Sequence, residues 1–383
     1  MKLLYCYIAQ NTEGNKVHID SFMKAFKSLG DEIIDAGITV KPFVEDKAQW
    51  SLLKKIQAKL IWIGRNLSNL WRLSLLIFKF HPEVLLFRFT SDHTMFLAIY
   101  CLSFFYPIVL EVNAIRSVEG ATSLQWLSVL LDKVTFKRAR RCFTVSSMLK
   151  DLLAREMNLD AEKISVIENG VDVDMFNPAV SSIEIKKSLG LETVFVVGFV
   201  GAFMPWHGVD LIIDLAGRMK EHDIKFLLVG DGERREIFVK QAESMGLQEK
   251  VIFTGYLPHA DIPKYMAAMD VVLAPFPRAY YEGCGGFYGS VLKIFEYMGM
   301  GKAIIAPPLG QIKDVLVDRE SGLLIYSEDT TTLIDALLKL FNDSSYRESL
   351  GINARKRVEQ NYTWQANAEK VKCVCNEVRK WVT

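Results

Sequence analysis

Short apolar runs alternate with longer stretches of helical period along the whole chain. In the first half Leu3–Ile8, Glu32–Thr39, Val84–Phe87, Ile108–Val112, Cys142–Val145 and Ile164–Ile167 read as strands, and Val17–Leu29 and Ser147–Glu156 as helices. The second half repeats the rhythm. Strand-like runs are Val194–Val200, Phe226–Val229, Val251–Phe253, Val271–Ala274, Ala303–Ala306 and Gly322–Ile325, and helical patterns cover Val209–Met219, Glu233–Ser244, Ile262–Ala268 and Val291–Met300. Continuous apolar strands separated by helices imply parallel pairing with both sheet faces buried. Several strands run into glycine or proline turns (Gly201, Gly230-Asp231-Gly232, Gly255, Pro275), and open parallel sheets bind ligands at those carboxyl ends. A polar stretch, Asn177–Ser188, separates the halves. The pattern predicts an α/β protein of two Rossmann-like domains, 1–178 and 179–362, facing each other across a cleft. A final segment, 363–383, carries a helix over Trp364–Trp381 that packs back on the first domain.

Composition agrees with this picture. A length of 383 residues suits two domains, and 50% hydrophobic with 24% charged residues describes a globular chain. Lys and Arg number 46 against 45 Asp and Glu, a balance that argues against a nucleic-acid binder. The six cysteines include no Cys-x-x-Cys pair, so reduced thiols and a cytoplasmic protein are expected. The run opening the chain passes into the polar Asn11–Asn15 without the length of a signal sequence, and Met95–Tyr106, stopped by Pro107, is too short to span a bilayer. One region is locally biased. Trp50–Phe80 carries Lys54, Lys55, Lys59, Arg65, Arg72 and Lys79 among tryptophans and aliphatics, with no acidic residue. Two readings stay open there: a helix lying on anionic lipid, which makes the protein peripheral at the inner membrane face, or a helix packed on the first sheet with solvated cations.

Candidate chemistry concentrates in Glu282–Met298. Gly283, Gly285, Gly286 and Gly289 precede a helical run, and backbone N–H groups at a helix N-terminus suit a phosphate. Lys293 adds a full charge, and Glu296, about one turn on, shares its face and suits the two hydroxyls of a ribose. Asp172-Val173-Asp174 spells a metal-associated motif of sugar transferases of another fold, but reads here as a turn and helix cap, so no metal site is expected.

Motifs in order along the chain resemble the family 4 glycosyltransferases, which have the GT-B fold. They are Val197-Gly198-Phe199-Val200-Gly201, Pro205-Trp206-His207-Gly208-Val209, Phe226–Gly232, Val251–Leu257 and Phe295–Lys302, preceded by Val166-Ile167-Glu168-Asn169-Gly170-Val171-Asp172 with Phe176-Asn177-Pro178. The resemblance implies that Glu296 holds the donor ribose and that the base rests on Gly255-Tyr256-Leu257. It places Gly201 and the loop to Gly208 on the diphosphate. The loop containing Gly286, Tyr288, Gly289, Ser290 and Val291 then covers the donor sugar. The family's paired Glu-x7-Glu begins here at Tyr288, and its Arg and Lys near the first glycine are Ala202 and His207. Lys293 thereby takes over the phosphate charge, with His207 as a second candidate.

Many members carry a histidine where this chain has Glu111-Val112-Asn113-Ala114, so Glu111 and Asn113 are candidates too. An ion pair of Glu111 with Arg88 or Arg116 and a contact with acceptor or donor sugar both stay open. His18, near the helix start after Gly14, reads either as approaching the acceptor or phosphate or as a surface histidine, whereas His81, His93, His222 and His259 read as surface or capping residues. The function implied is retaining transfer of a sugar from a UDP- or GDP-linked donor to a glycan or lipid-linked acceptor, with no cofactor or metal. The alternatives are a nucleotide-sugar epimerase on the same fold and a non-catalytic partner subunit.

Overall fold

The computed structural model describes residues 1–9, 13–39, 52–90, 93–115, 125–283 and 285–380, with no side-chain description for 9, 13, 39, 52–56 and 125. Asn11, Thr12, Trp50, Arg116, Cys284, Trp381 and the side chains of Lys54 and Lys55 therefore lie outside the described residues. The chain divides into two compact units. One comprises Met1–Glu168, Tyr288–Ser290 and Asn367–Thr383, the other Asn169–Phe287 and Val291–Ala366.

In the first unit the elements run β1 (Lys2–Cys6), β2 (Ile8–Ala9), α1 (Glu13–Ser28), β3 (Glu32–Asp35), β4 (Ile38–Thr39), α2 (Leu52–Phe80) and β5 (Val84–Arg88). Then come α3 (Phe96–Leu102), β6 (Ile108–Val112), α4 (Gln125–Arg138), β7 (Arg141–Thr144), α5 (Ser147–Met157) and β8 (Ile164–Val166). The main sheet is parallel, ordered β3-β1-β5-β6-β7-β8. Each step from β3 through β5, β6 and β7 to β8 moves one way across the sheet, so right-handed crossovers put α2, α3, α4 and α5 on one face. The core agrees: Leu73 and Ile77, Ala98 and Leu102, Phe136, and Leu149 and Leu153 share one cluster with Leu4, Leu85, Phe87 and Leu110. Phe22 of α1 packs edge-on against Tyr5.

The strands expected over Leu3–Ile8 and Glu32–Thr39 are each broken in two, and their second pieces, β2 and β4, pair in a separate small sheet. A side chain at Gly37, between β3 and β4, would lie 2.6 Å from the Tyr7 ring. The chain rejoins this unit at Asn367, whose Nδ2 donates to the Glu168 carbonyl, and Lys372 and Arg379 pair with Asp31 and Glu83.

In the second unit α6 (Ile183–Ser188) is followed by β9 (Phe195–Val200), α7 (Val209–Arg218), β10 (Ile224–Val229), α8 (Arg235–Ser244), β11 (Val251–Phe253), α9 (Ile262–Ala267) and β12 (Val271–Leu273). Next are α10 (Arg278–Gly283), α11 (Leu292–Gly299), β13 (Ala303–Ala306), α12 (Ile312–Val315), β14 (Leu323–Leu324), α13 (Thr330–Asn342), α14 (Ser344–Asn361) and the start of α15 (Trp364–Arg379). The parallel order is β11-β10-β9-β12-β13-β14, which reverses direction between β9 and β12. Alternate residues of one strand serve two cores: Val196 and Val200 pack with α11 and α14, Val197 and Phe199 with α7 and α13. The segment 169–178, expected in the first domain, belongs to this unit. Val171 and Phe176 are buried in its core, and Val171 bridges to Thr363. Asp172 makes the turn its position suggested, its Oδ1 accepting from the N–H groups of Asp174 and Met175.

Candidate functional site

The reversal between β9 and β12 is where a parallel sheet of this order opens a ligand crevice, and the glycines there have defined reasons to be glycine. Gly201, leaving β9 at φ +148°, would place a Cβ 2.7 Å from Lys293 Nζ. Gly208, at φ +66° before α7, would drive one to 1.9 Å from the Pro275 carbonyl oxygen after β12. Gly230 would put one 2.0 Å from the Gly201 carbonyl oxygen. The backbones at the carboxyl ends of β9, β10 and β12 thus come together at separations no side chain allows.

Lys293 rises into this junction from the first turn of α11. Its Nζ lies 4.3 Å from the centre of the Phe199 ring and 5.2 Å from that of Phe276, and has no hydrogen-bond partner. Burial pulls its pKa down to about 7, with Glu296 acting the other way. A buried ammonium held by two aromatic faces and no acceptor is a costly arrangement, and an anion relieves it.

His207 lies beside it, Nδ1 donating to the Ala202 carbonyl. Burial, reinforced by Lys293, pushes its pKa down to about 3, so the imidazole is neutral throughout the physiological range. Lys293 is the charge at this point and His207 is not. Glu296 is reached by His259, whose Nε2 lies 2.9 Å from Oε1. That histidine packs on Phe176, 5.4 Å between ring centres. It was expected as a surface or capping residue, and only the fold joins it to Glu296.

Gly255 (φ +75°) pairs with Gly230, Tyr256 is exposed, and Leu257 packs against the core. Gly286 (φ +123°) donates its N–H to the Tyr281 carbonyl, and the Val291 N–H is taken by Gln311 Oε1. Tyr288, Gly289 and Ser290 fall in the first unit, where the Tyr288 carbonyl accepts from Ser146 Oγ and Ser290 Oγ is buried without a hydrogen-bond partner. The loop read from sequence as one piece is therefore divided between the two units.

A second polar cluster forms at the carboxyl ends of β5 and β6 in the first unit. Glu111 is buried and receives Tyr5 Oη on Oε2 at 2.7 Å. Its Oε1 takes His18 Nε2 at 2.9 Å and Asn113 Nδ2 at 2.8 Å, with Arg88 Nη1 at 3.5 Å. Burial alone would raise its pKa, but Arg88, His18 and Tyr5 outweigh it and hold the carboxyl well below its ordinary range. Burial lowers the pKa of His18. Arg88 Nη2 donates to Asn15 Oδ1 at 3.0 Å. Glu111 is thus a saturated anion that orders its neighbours, not a base with a free lone pair. Within the cluster Asn113 Oδ1 and Arg88 Nη1 are buried without hydrogen-bond partners. His93, another expected surface residue, is buried and bonded to Asp132 at 2.7 Å. Among the described residues no three His, Cys, Asp or Glu side chains gather closely enough to hold a metal ion.

Two parallel-sheet Rossmann-like units, one with a phosphate-suited lysine at its topological switch, define a protein of the GT-B class. Family comparison assigns residues 40–175 to Glycosyltransferase Family 4 and residues 181–357 to Glycosyl transferases group 1. The chain belongs to the family 4, group 1 glycosyltransferases.

It is 23% identical over 288 residues to an alpha-D-kanosaminyltransferase of Streptomyces kanamyceticus, covering 71% of each chain. It is 27% identical over 255 residues to an Escherichia coli UDP-Gal:alpha-D-GlcNAc-diphosphoundecaprenol alpha-1,3-galactosyltransferase, covering 65% of this chain and 62% of the relative. Against several curated relatives it spans little more than half their length, for example 57% and 52%. Among solved structures, Anabaena Alr3699/HepE in complex with UDP superposes with a TM-score of 0.72 at 20% identity, over 98% of this chain and 100% of that one.

Proposed function

We propose that this protein transfers a sugar, with retention of anomeric configuration, from a uridine- or guanosine-diphosphate sugar to a glycan or lipid-linked acceptor. The observation carrying the reading is Lys293, a buried cation without an acceptor beneath the Gly201 turn. The donor diphosphate lies against Gly201, Gly208 and Lys293. Glu296, held by His259, takes the ribose hydroxyls. As the bond from C1 to the phosphate oxygen breaks, negative charge grows on that oxygen beside Lys293, and the oxygen accepts the proton of the attacking acceptor hydroxyl. No separate base is needed, which suits a site where the lowered pKa of His207 makes its imidazole a poor proton acceptor. The stabilisation rests on a preorganised charge in a dry setting.

The UDP in the Anabaena relative and the UDP-linked donor named for the Escherichia coli relative favour uridine. The diphosphoundecaprenol acceptor named for the latter favours a lipid-linked acceptor and work at a membrane. The test is thermal stabilisation by UDP and GDP, followed by hydrolysis of their sugars with the product anomer followed by NMR. Stabilisation by neither nucleotide overturns the donor reading, and release of the inverted anomer overturns retention.

A further inference from the structure

The layer formed by α2, α3 and α4 in the first unit has two apolar sides. On α2 the inner side is Leu73 and Ile77, buried against the sheet. The outer side is a second stripe, Leu60, Leu67, Trp71, Leu75 and Phe78, exposed by 63, 54, 69, 51 and 79%. At 100° per residue these positions fall within one face roughly opposite the inner one, and from Leu60 to Phe78 they extend about 27 Å. The layer continues outward from α2. The turn after α3 exposes Phe105 at 76%, and α4 exposes Trp126 at 66% and Leu130 at 49%, one turn apart. Ordinary surface exposure is scattered, whereas on α2 these residues share one helix face, and the neighbouring helices of the same layer add further exposed aromatic and aliphatic side chains.

Charge decides what covers it. Arg65, Arg72 and Lys79 recur every seven residues along one flank of the α2 stripe, and Lys133, Lys137 and Arg138 add to α4. Asp132 is the one carboxylate on α2, α3 and α4, and it is buried against His93. Arg138 lies over the Phe104 and Tyr100 rings, 3.9 and 4.7 Å from their centres, so a cation is held at the level of the aromatic edge. No described helix is long and apolar enough to cross a membrane.

We infer that the outer face of α2, α3 and α4 is a docking surface for an anionic lipid bilayer, with the apolar stripe entering the headgroup–acyl boundary and the flanking cations on lipid phosphates. The inference deepens the lipid-linked acceptor reading, since a surface so anchored keeps the enzyme where such an acceptor is embedded, yet the face itself is read independently of the donor site.

The experiment is cosedimentation of the full chain with phosphatidylglycerol–phosphatidylcholine vesicles and with pure phosphatidylcholine, at low and high salt. Trp71→Glu/Phe78→Glu and Arg65→Gln/Arg72→Gln/Lys79→Gln serve as variants, each checked for an unchanged UDP-induced thermal shift. Binding to the anionic vesicles only, fading with salt, and falling about tenfold or more in both variants is the expected result. Absence of binding at low salt overturns the inference, as does binding that both variants retain. A self-association in solution that Trp71→Glu/Phe78→Glu abolishes, without vesicle binding, assigns the face to a second copy and overturns it too. A UDP shift without vesicle binding sinks only this surface. Vesicle binding without any nucleotide shift sinks only the donor reading.

Discussion

Lys293 is a lysine whose proton is poised. With its pKa near 7 in the nucleotide-free protein, the side chain is partly neutral at working pH, and a diphosphate placed against it restores the full charge. Nucleotide binding near pH 7 should therefore take up a fraction of a proton, read by calorimetry in buffers of different ionisation enthalpy. A heat independent of buffer would remove Lys293 from the anion. The sign for stability follows from the same shift. Between about 7 and the ordinary 10.5 the unfolded chain binds the proton and the folded one does not, so stability of the nucleotide-free protein rises with pH across that window. Lys293→Met should remove its share of that rise, leaving the share of Lys302, whose pKa burial lowers to about 8, and lower turnover at saturating donor by on the order of a hundredfold. His207→Ala, which removes a neutral ring, should do much less, and the reverse ranking would exchange their roles. Glu296→Ala should weaken nucleotide binding by roughly 1.5–3 kcal/mol, the worth of a charged hydrogen bond. His259→Ala, acting only through Glu296, should cost less affinity, and an equal or greater loss would put that imidazole on the ligand itself.

Among the elements, glycine conformation alone does not set sensitivity to substitution; the surrounding space does. Gly190 (φ +62°) and Gly208 (φ +66°) share a backbone region, but only Gly208 faces a backbone oxygen at 1.9 Å. Gly190→Ala should lose about 1 kcal/mol, the ordinary cost of a left-handed residue, and Gly208→Ala clearly more, because strand and turn must separate. Equal melting temperatures for the two would show that the junction is not closed as described. What the sequence disclosed divides along the same lines. The strands were readable because both of their faces are buried, which leaves nearly unbroken apolar runs, and Lys293 with Glu296 were readable because one helix turn joins them. The Glu111 cluster was only half visible, because Tyr5, His18, Arg88 and Glu111 come from four separate elements and no spacing links them. His259 was missed for the same reason. Helix α14 escaped notice because its buried face is only Leu350, Gly351, Ala354 and Val358, too narrow a stripe to stand out among charged neighbours.

For the whole molecule, the first unit is completed by α15, whose Ala368, Val371, Val374, Cys375 and Val378 are all buried. A chain stopped after Ala366 should lose on the order of 5 kcal/mol of apolar burial, comparable to the stability of a domain. Its first unit should then melt early or not fold, while the second keeps its response to UDP, as two transitions in calorimetry. One undiminished transition would show that α15 is dispensable. Apart from the short return at Tyr288–Ser290, the chain leaves the first unit at Glu168 and re-enters it at Asn367, and beside those points Val171 pairs with Thr363 inside the second unit. During synthesis this arrangement imposes an order. All the residues of the second unit have emerged before the helix that seals the first, so the earliest-made sheet waits, with part of its apolar surface uncovered, for the latest-made helix. Nascent chains stalled before Asn367 should accordingly hold a second unit that already resists protease and a first unit that does not.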